Sequence, residues 1–246
     1  MWYRDFRERV LRMSRIRWVG VFAVAAAAMV SLGAAEKPGV LLISGFGPFP
    51  GVETNPSWEA AKGFDGQRVG QYVVRAVRLP VVYDEAADRL NTAMAQSQPS
   101  IVVAFGVAPE AVFRLETVAD NLDDSRAPDT AGTTRTRRPI RHGGPGTYPT
   151  RLPVDALLTQ LRAHGIPARL SESAGHYVCN NLFYHLMDSV KDTPVLAGFV
   201  HVPMIPAEPK AGRDAALEGV SRGMRMILET VASMPSEIHL IRREEP

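Results

Sequence analysis

The stretch VLLISGFGPFPG, residues 40–51, decides how this chain folds. Val40 to Ser44 is a nearly continuous apolar run, the pattern of a strand buried on both faces of a parallel sheet. Gly45 to Gly51 then places three glycines and two prolines in seven residues, so the strand empties into a loop. Asn55-Pro56-Ser57 reads as a helix start, with Asn55 as N-cap and Pro56 at the first helical position.

The alternation continues downstream. Further strands are expected at Tyr72–Leu79, Ser100–Phe105, Arg169–Ser171 and Val195–Val202. Helices are expected at Tyr83–Gln96, Val154–His164, Val178–Lys191 and Ala211–Ser233. Asp123–Pro149 is polar and rich in Gly, Pro and Arg, and reads as mostly loop. No repeat and no composition break marks a second domain within residues 36–246. The expected fold is a single-domain α/β protein, a three-layer α/β/α sandwich around a largely parallel mixed sheet.

Composition supports that class. The 246 residues are 46% hydrophobic and 22% charged, which is globular rather than disordered or fibrous. One cysteine excludes an internal disulfide framework. The net charge of +2 is uneven. Residues 1–35 hold six arginines (Arg4, Arg7, Arg9, Arg12, Arg15, Arg17) against Asp5 and Glu8, and the rest of the chain is slightly acidic. Such a body lacks the electrostatic footprint of a nucleic-acid binder.

Residues 1–35 read as a targeting segment. An arginine-rich stretch precedes the uncharged run WVGVFAVAAAAMVSLGAA, residues 18–35, which ends in small residues. That is the layout of a secretory signal peptide, with cleavage before Glu36. The expectation is export to the periplasm or beyond the cell. An uncleaved leader would be the sole route to membrane attachment. A start site at Met13 would shorten the charged segment, and a leader created by a misassigned start would leave the protein cytoplasmic.

Several residues in the body could carry chemistry. Cys179 sits in SAGHYVCNNLFY, and apolar spacing after Gly175 places it in the first turn of a helix. A helix N-terminus lowers a thiol pKa and offers free N–H groups to an oxyanion. The plainer alternative is an inert buried cysteine. His201, in GFVHVP, falls at the end of an apolar strand, where α/β sites gather, and suits a general base. It could equally be a satisfied core histidine. His176 is the nearest substitute in sequence, whereas His185 is six residues beyond Cys179 and faces away. Glu116, between apolar neighbours, could orient a histidine, or be an ordinary surface acid. Phe46 and Phe49 suit a flat, neutral ligand, or simple core packing. Arg135, Arg137, Arg138 and Arg141 read as a solvated loop. No HExxH motif, cysteine pair or dense His/Asp cluster suggests a metal, and no cofactor is expected.

Taken together, GFGPFPG with Asn55-Pro56-Ser57, Glu116 with Asn121, DDSRAPD (residues 123–129), SAGHYVCNNLFY and GFVHVP resemble the pyroglutamyl peptidase I family of cysteine peptidases. The resemblance spans roughly Val40 to Pro206, and the cysteine block is its most specific part. It implies a Cys179–His201–Glu116 triad, Arg126 near the site, Phe46, Phe49 and Asn55 at the substrate, and an α/β/α fold. The implied substrate is a peptide with an N-terminal pyroglutamyl residue. The family often forms homo-oligomers, and no stretch of this chain specifies a subunit interface.

Departures cluster beside the carboxylate. The stretch Gly106 to Glu116 is one residue short of the family pattern and lacks its glycine–arginine turn. Thr117 stands where the family has an arginine, and Asp120 where an apolar residue is usual. They motivate two alternatives: a weak or inactive relative that binds cyclic amides or peptide ends, and a thiol hydrolase for another small amide.

Overall fold

The computed structural model describes residues 38–206 and 209–234. The leader expected at residues 1–35 lies outside the described residues. Strand β1 (Gly39–Phe46) is the expected first strand, extended at both ends. Its side chains alternate between the two faces. Leu41 and Ile43 enter one core, and Leu42 and Phe46 enter the other. Helix α1 (Pro56–Ala61) starts at the expected cap: Asn55 accepts the Ser57 N–H, and Pro56 opens the helix. Gly45 is required there, because a Cβ would overlap the Ser57 carbonyl.

Next in the chain come β2 (Arg68–Val69), β3 (Tyr72–Leu79), α2 (Glu85–Ser97) and β4 (Ile101–Ala108). They are followed by β5 (Phe113–Glu116), β6 (Val118–Asp120), β7 (Asp123–Ser125), β8 (Arg135–Arg138) and β9 (Thr147–Pro149). The described residues end with α3 (Val154–Ala163), β10 (Ala168–Ser171), α4 (Val178–Val190), β11 (Leu196–Pro203) and α5 (Lys210–Ala232). Seven strands form one sheet in the order β10-β5-β11-β4-β1-β3-β2. The central β11, β4, β1 and β3 are mutually parallel. β2 pairs antiparallel with β3, and β5 antiparallel with β11. The sheet is therefore mixed and largely parallel.

Helices α1, α3 and α5 pack on one face, through Ala61, Leu157, Leu161, Met224 and Ile227. Helices α2 and α4 pack on the other, through Ala87, Leu90, Leu182 and Phe183. The expected three layers are present. Covering both faces accounts for the unbroken apolar runs of β1, β4 and β11. No described helix is long and apolar enough to cross a membrane.

Asp123–Pro149 is mostly loop, as expected, with three short strands in it: β7 pairs with β8, and β9 pairs back to β6. One expectation needs correction: the arginines of this segment are not all solvated. Arg135 is 11% exposed, lies 4.6 Å over the Tyr83 ring, and binds Asp84 (2.9 and 2.6 Å) and Asp123 (3.0 Å). Arg141 pairs with Asp188 at 2.5 Å. These partners are distant in sequence, so the local run of charge gives no sign of them.

Candidate active site

The site assembles on the α2/α4 face, at the carboxyl ends of β4 and β11. The pleat puts Ala197, Phe199 and His201 of β11 on that face, and Val200 and Val202 on the other. Strand register places Gly106 of β4 beside His201 on one flank and Arg114 of β5 on the other. Because Phe113 and Leu115 enter the opposite core, Arg114 and Glu116 share the face of His201.

His201 is 4% exposed and its Nδ1 lies 2.7 Å from Glu116 Oε1. Phe199 stacks edge-on against the imidazole, with centroids 4.9 Å apart. Glu116 is fully buried, so the reading of it as a surface acid is overturned. Position 116 lies in a strand of the main sheet, and its polar face looks into the site instead of solvent.

Cys179 is the second residue of α4 and is half-buried. Gly106 lies beneath it: a Cβ there would stand 3.2 Å from Cys179 Sγ and 2.7 Å from Phe199 Cζ. Only the missing side chain lets the sulfur settle over the sheet beside the His201 level. Val178, Cys179 and Asn180 open a helix with no side-chain cap, so the first-turn N–H groups remain available.

The expectation of a lowered thiol pKa is corrected. Burial pushes the Cys179 thiol up to about 12, the Glu116 charge adds to the rise, and Arg114 opposes it. Desolvation disfavours a thiolate next to a buried carboxylate more than the helix terminus favours it. This environment favours the neutral thiol at Cys179.

The other candidates fall into place around this centre. Phe46 ends β1, is 2% exposed and packs in the core with Leu79. Phe49 is half-buried at the edge of that core, and its backbone pairs with Val52 (2.8 and 3.2 Å). Asn55 is 2% exposed and turned toward the loop itself. Its Oδ1 accepts from the Ser57 hydroxyl (2.8 Å), and its Nδ2 donates to the Gly47 carbonyl (2.9 Å). Asn55 therefore acts on the loop's shape. Arg126 is exposed on the segment after β7. That segment is tied to the start of α4, because the Asp124 N–H donates to the His176 carbonyl and the Tyr177 hydroxyl to the Pro128 carbonyl, both at 2.9 Å.

Other histidines stand apart from Glu116. His176 Nε2 lies 3.2 Å from Asp120 Oδ2 and is partly solvated. His185 lies 3.6 Å from Asp84. Sequence reading missed Asn180, whose side chain bonds the Asp120 N–H and the Asp120 and Leu122 carbonyls, each at 2.9 Å. It clamps the chain after Glu116 against α4. It also missed Arg114, 3.1 Å from Glu116 Oε1. The alternation in Phe-Arg-Leu-Glu was the available signal for that residue.

Comparison with known proteins gives the family and the fold. The family model described as pyroglutamyl peptidase matches residues 40–234. A pyrrolidone-carboxylate peptidase of Cupriavidus necator is 37% identical over 205 residues, 80% of this chain and 95% of that protein. One of Gloeobacter violaceus is 40% identical over 200 residues, 78% and 97% respectively. The crystal structure of Bacillus amyloliquefaciens pyroglutamyl peptidase I is 34% identical and superposes with a TM-score of 0.75, covering 80% of this chain and 98% of that one. Family match, relatives of nearly full coverage and a shared architecture agree, and the chain belongs to the pyroglutamyl peptidase family.

Proposed function

We propose that this protein hydrolyses the bond after an N-terminal pyroglutamyl residue, with Cys179 as nucleophile, His201 as base and Glu116 as the group that orients the base. The observation that carries the reading is the Glu116–His201 contact of 2.7 Å on the sheet face that Cys179 covers, buried in a chain of this family.

With Nδ1 held by Glu116, Nε2 is the imidazole nitrogen left to take a proton. It removes the Cys179 proton as Sγ attacks the carbonyl joining pyroglutamate to the next residue. No free thiolate is needed beforehand, which fits a thiol held neutral by burial. The first-turn N–H groups of α4 hold the oxyanion. The imidazolium then protonates the leaving amine as the C–N bond breaks. Water, deprotonated by His201, cleaves the thioester, releasing pyroglutamate and restoring the thiol. The lactam lies against Phe49, with Phe46 behind it and Asn55 shaping the loop. Arg126, exposed on the segment after β7, is the remaining candidate for contact with the substrate. A substrate with a blocked N-terminus has no ammonium, so no acidic recognition residue is required.

The departures in residues 106–120 do not break this arrangement. The shortened stretch still builds β5, which delivers Glu116 to His201. Catalysis is therefore favoured over binding alone. The full-length reduced protein is expected to release a fluorescent amine from a pyroglutamyl amide and not from a prolyl amide. No release by the folded, reduced protein would refute the peptidase reading and favour the binding one.

Two substitutions examine the arrangement. Glu116→Gln is expected to lower kcat about a hundredfold and His201→Ala by at least roughly tenfold more, because orientation is worth less than the base itself. Equal losses would give Glu116 a structural role instead. Gly106→Ala is expected to cost on the order of a hundredfold in kcat by displacing the sulfur, and to lower Tm by several degrees, because the added Cβ also overlaps the buried Phe199 ring. Native kinetics in that variant would place the reacting sulfur elsewhere.

A further inference from the structure

Arg114 belongs to the shortened stretch, two residues before Glu116, and the pleat puts both on the face of His201. In the β5–β11 register it is the residue directly opposite His201. Its Nε lies 3.1 Å from Glu116 Oε1 but out of line for a hydrogen bond, so this contact is one of charge. The rest of the guanidinium is fixed by hydrogen bonds. Nη1 reaches Glu110 (3.3 Å), and Nη2 reaches Ser171 Oγ (2.8 Å) and the Ser173 carbonyl. Glu110 is itself paired with Arg169 at 2.8 Å. Thr117, where the family pattern has an arginine, spends its hydroxyl on the Ser171 carbonyl.

Resting on the peptidase reading above, we propose that Arg114 is a positioning residue that balances the buried charge of Glu116 and so keeps His201 free to accept the Cys179 proton at neutral pH. The reasoning is electrostatic. In general the charge of a carboxylate stabilises an imidazolium beside it, and an imidazolium cannot act as a base; here the carboxylate lies 2.7 Å from the ring. A fixed cation facing both groups opposes that protonation, since like charges directly across two strands repel. Among the described residues, the charged or titratable groups facing the pair are Arg114 on β5, Cys179 on α4, Glu110 before β5, and Arg169 on β10. Of these, Arg114 alone is a cation in contact with Glu116.

The test is the pH dependence of kcat/KM for release of aminomethylcoumarin from its pyroglutamyl amide by the full chain. Arg114→Met is expected to lose about tenfold at pH 6, to converge on the native rate by about pH 9, and to change KM little. Arg114→Lys, which keeps the charge, is expected to follow the native profile. Arg114→Gln keeps a donor for Ser171 and Ser173 and serves as a second charge-free variant if the methionine protein does not fold. A uniform loss at every pH in both charge-free variants, or a folded lysine variant that behaves like them, would overturn the proposal. Should the native chain release no coumarin, the peptidase reading fails separately. NMR titration of the His201 ring then decides, with a midpoint higher in the charge-free variant expected and an unchanged midpoint contradicting.

Discussion

Cys179→Ala is expected to reduce turnover of a pyroglutamyl amide by roughly five orders of magnitude, because the covalent route is lost entirely. The fold should survive. The thiol is small and half-buried, and nothing in the core depends on its bonding. Residual binding of substrate should persist, since the loop of Phe46 and Phe49 is untouched. Full activity in the alanine variant would remove the nucleophile from the account. The ionisation state of the thiol gives a companion expectation. Burial holds it near 12, so alkylation of the free protein by iodoacetamide should be slow at pH 7 and rise about tenfold per pH unit to beyond pH 9. A plateau at neutral pH would mean that Cys179 and His201 rest as an ion pair.

Arg135→Met should destabilise the protein by about 3 kcal/mol, the scale of breaking a buried ion pair. Asp123 is fully buried and holds two partners, Arg135 and Asn181. Without Arg135 its carboxylate would be left in the core without a counter-charge. Asp84 adds to the cost. Its φ of 59° lies in the left-handed region, which a residue with a side chain enters at about 1–3 kcal/mol. The bidentate grip of Arg135 and the hydrogen bond from the Asp84 N–H to Asn181 (3.1 Å) hold it there. The two carboxylates shift in opposite directions although they share one arginine. Hydrogen bonding from Arg135 holds half-exposed Asp84 down at about 2, whereas burial raises Asp123. The Asp84 contribution is therefore present above about pH 4 and lost as pH falls toward 2.

A drop of roughly 6–12 °C in Tm is the expected reading for a domain of this size. Activity should fall too. Tyr83, under Arg135, packs edge-on against Tyr177, and Tyr177 immediately precedes the helix that carries Cys179. A melting temperature within a degree or two of the native one would show that the cluster is electrostatically neutral in effect.

The residues that escaped the sequence reading share a physical cause. β1, α4 and β11 were legible because their burial is continuous or helically periodic, and Cys179 and His201 were placed by those elements. β5 was not legible. Four residues, Phe113 to Glu116, alternate apolar with charged, which is the pattern of a half-exposed edge. Here the charged face is buried, because it forms the site, and Glu116 went from apparent surface acid to full burial. Arg135 was obscured differently. Its partners lie 51 and 12 residues away, and only the tertiary fold joins them. The start of α2 moved from Tyr83 to Glu85 for the same reason, since Asp84 is drawn out of helical geometry by Arg135 and Asn181. The upward push of burial on the Cys179 thiol was not legible because position in a helix is local and desolvation is not.

The proposed chemistry turns on one covalent bond. Rapid quenching of the reduced full-length protein with a pyroglutamyl ester, followed by peptide mapping and mass measurement, tests it directly. One pyroglutamyl group attached to the peptide containing Cys179, absent from Cys179→Ala and lost on longer incubation, is the expected result. Turnover without any adduct on that peptide, or an adduct carried by another residue, would contradict the account.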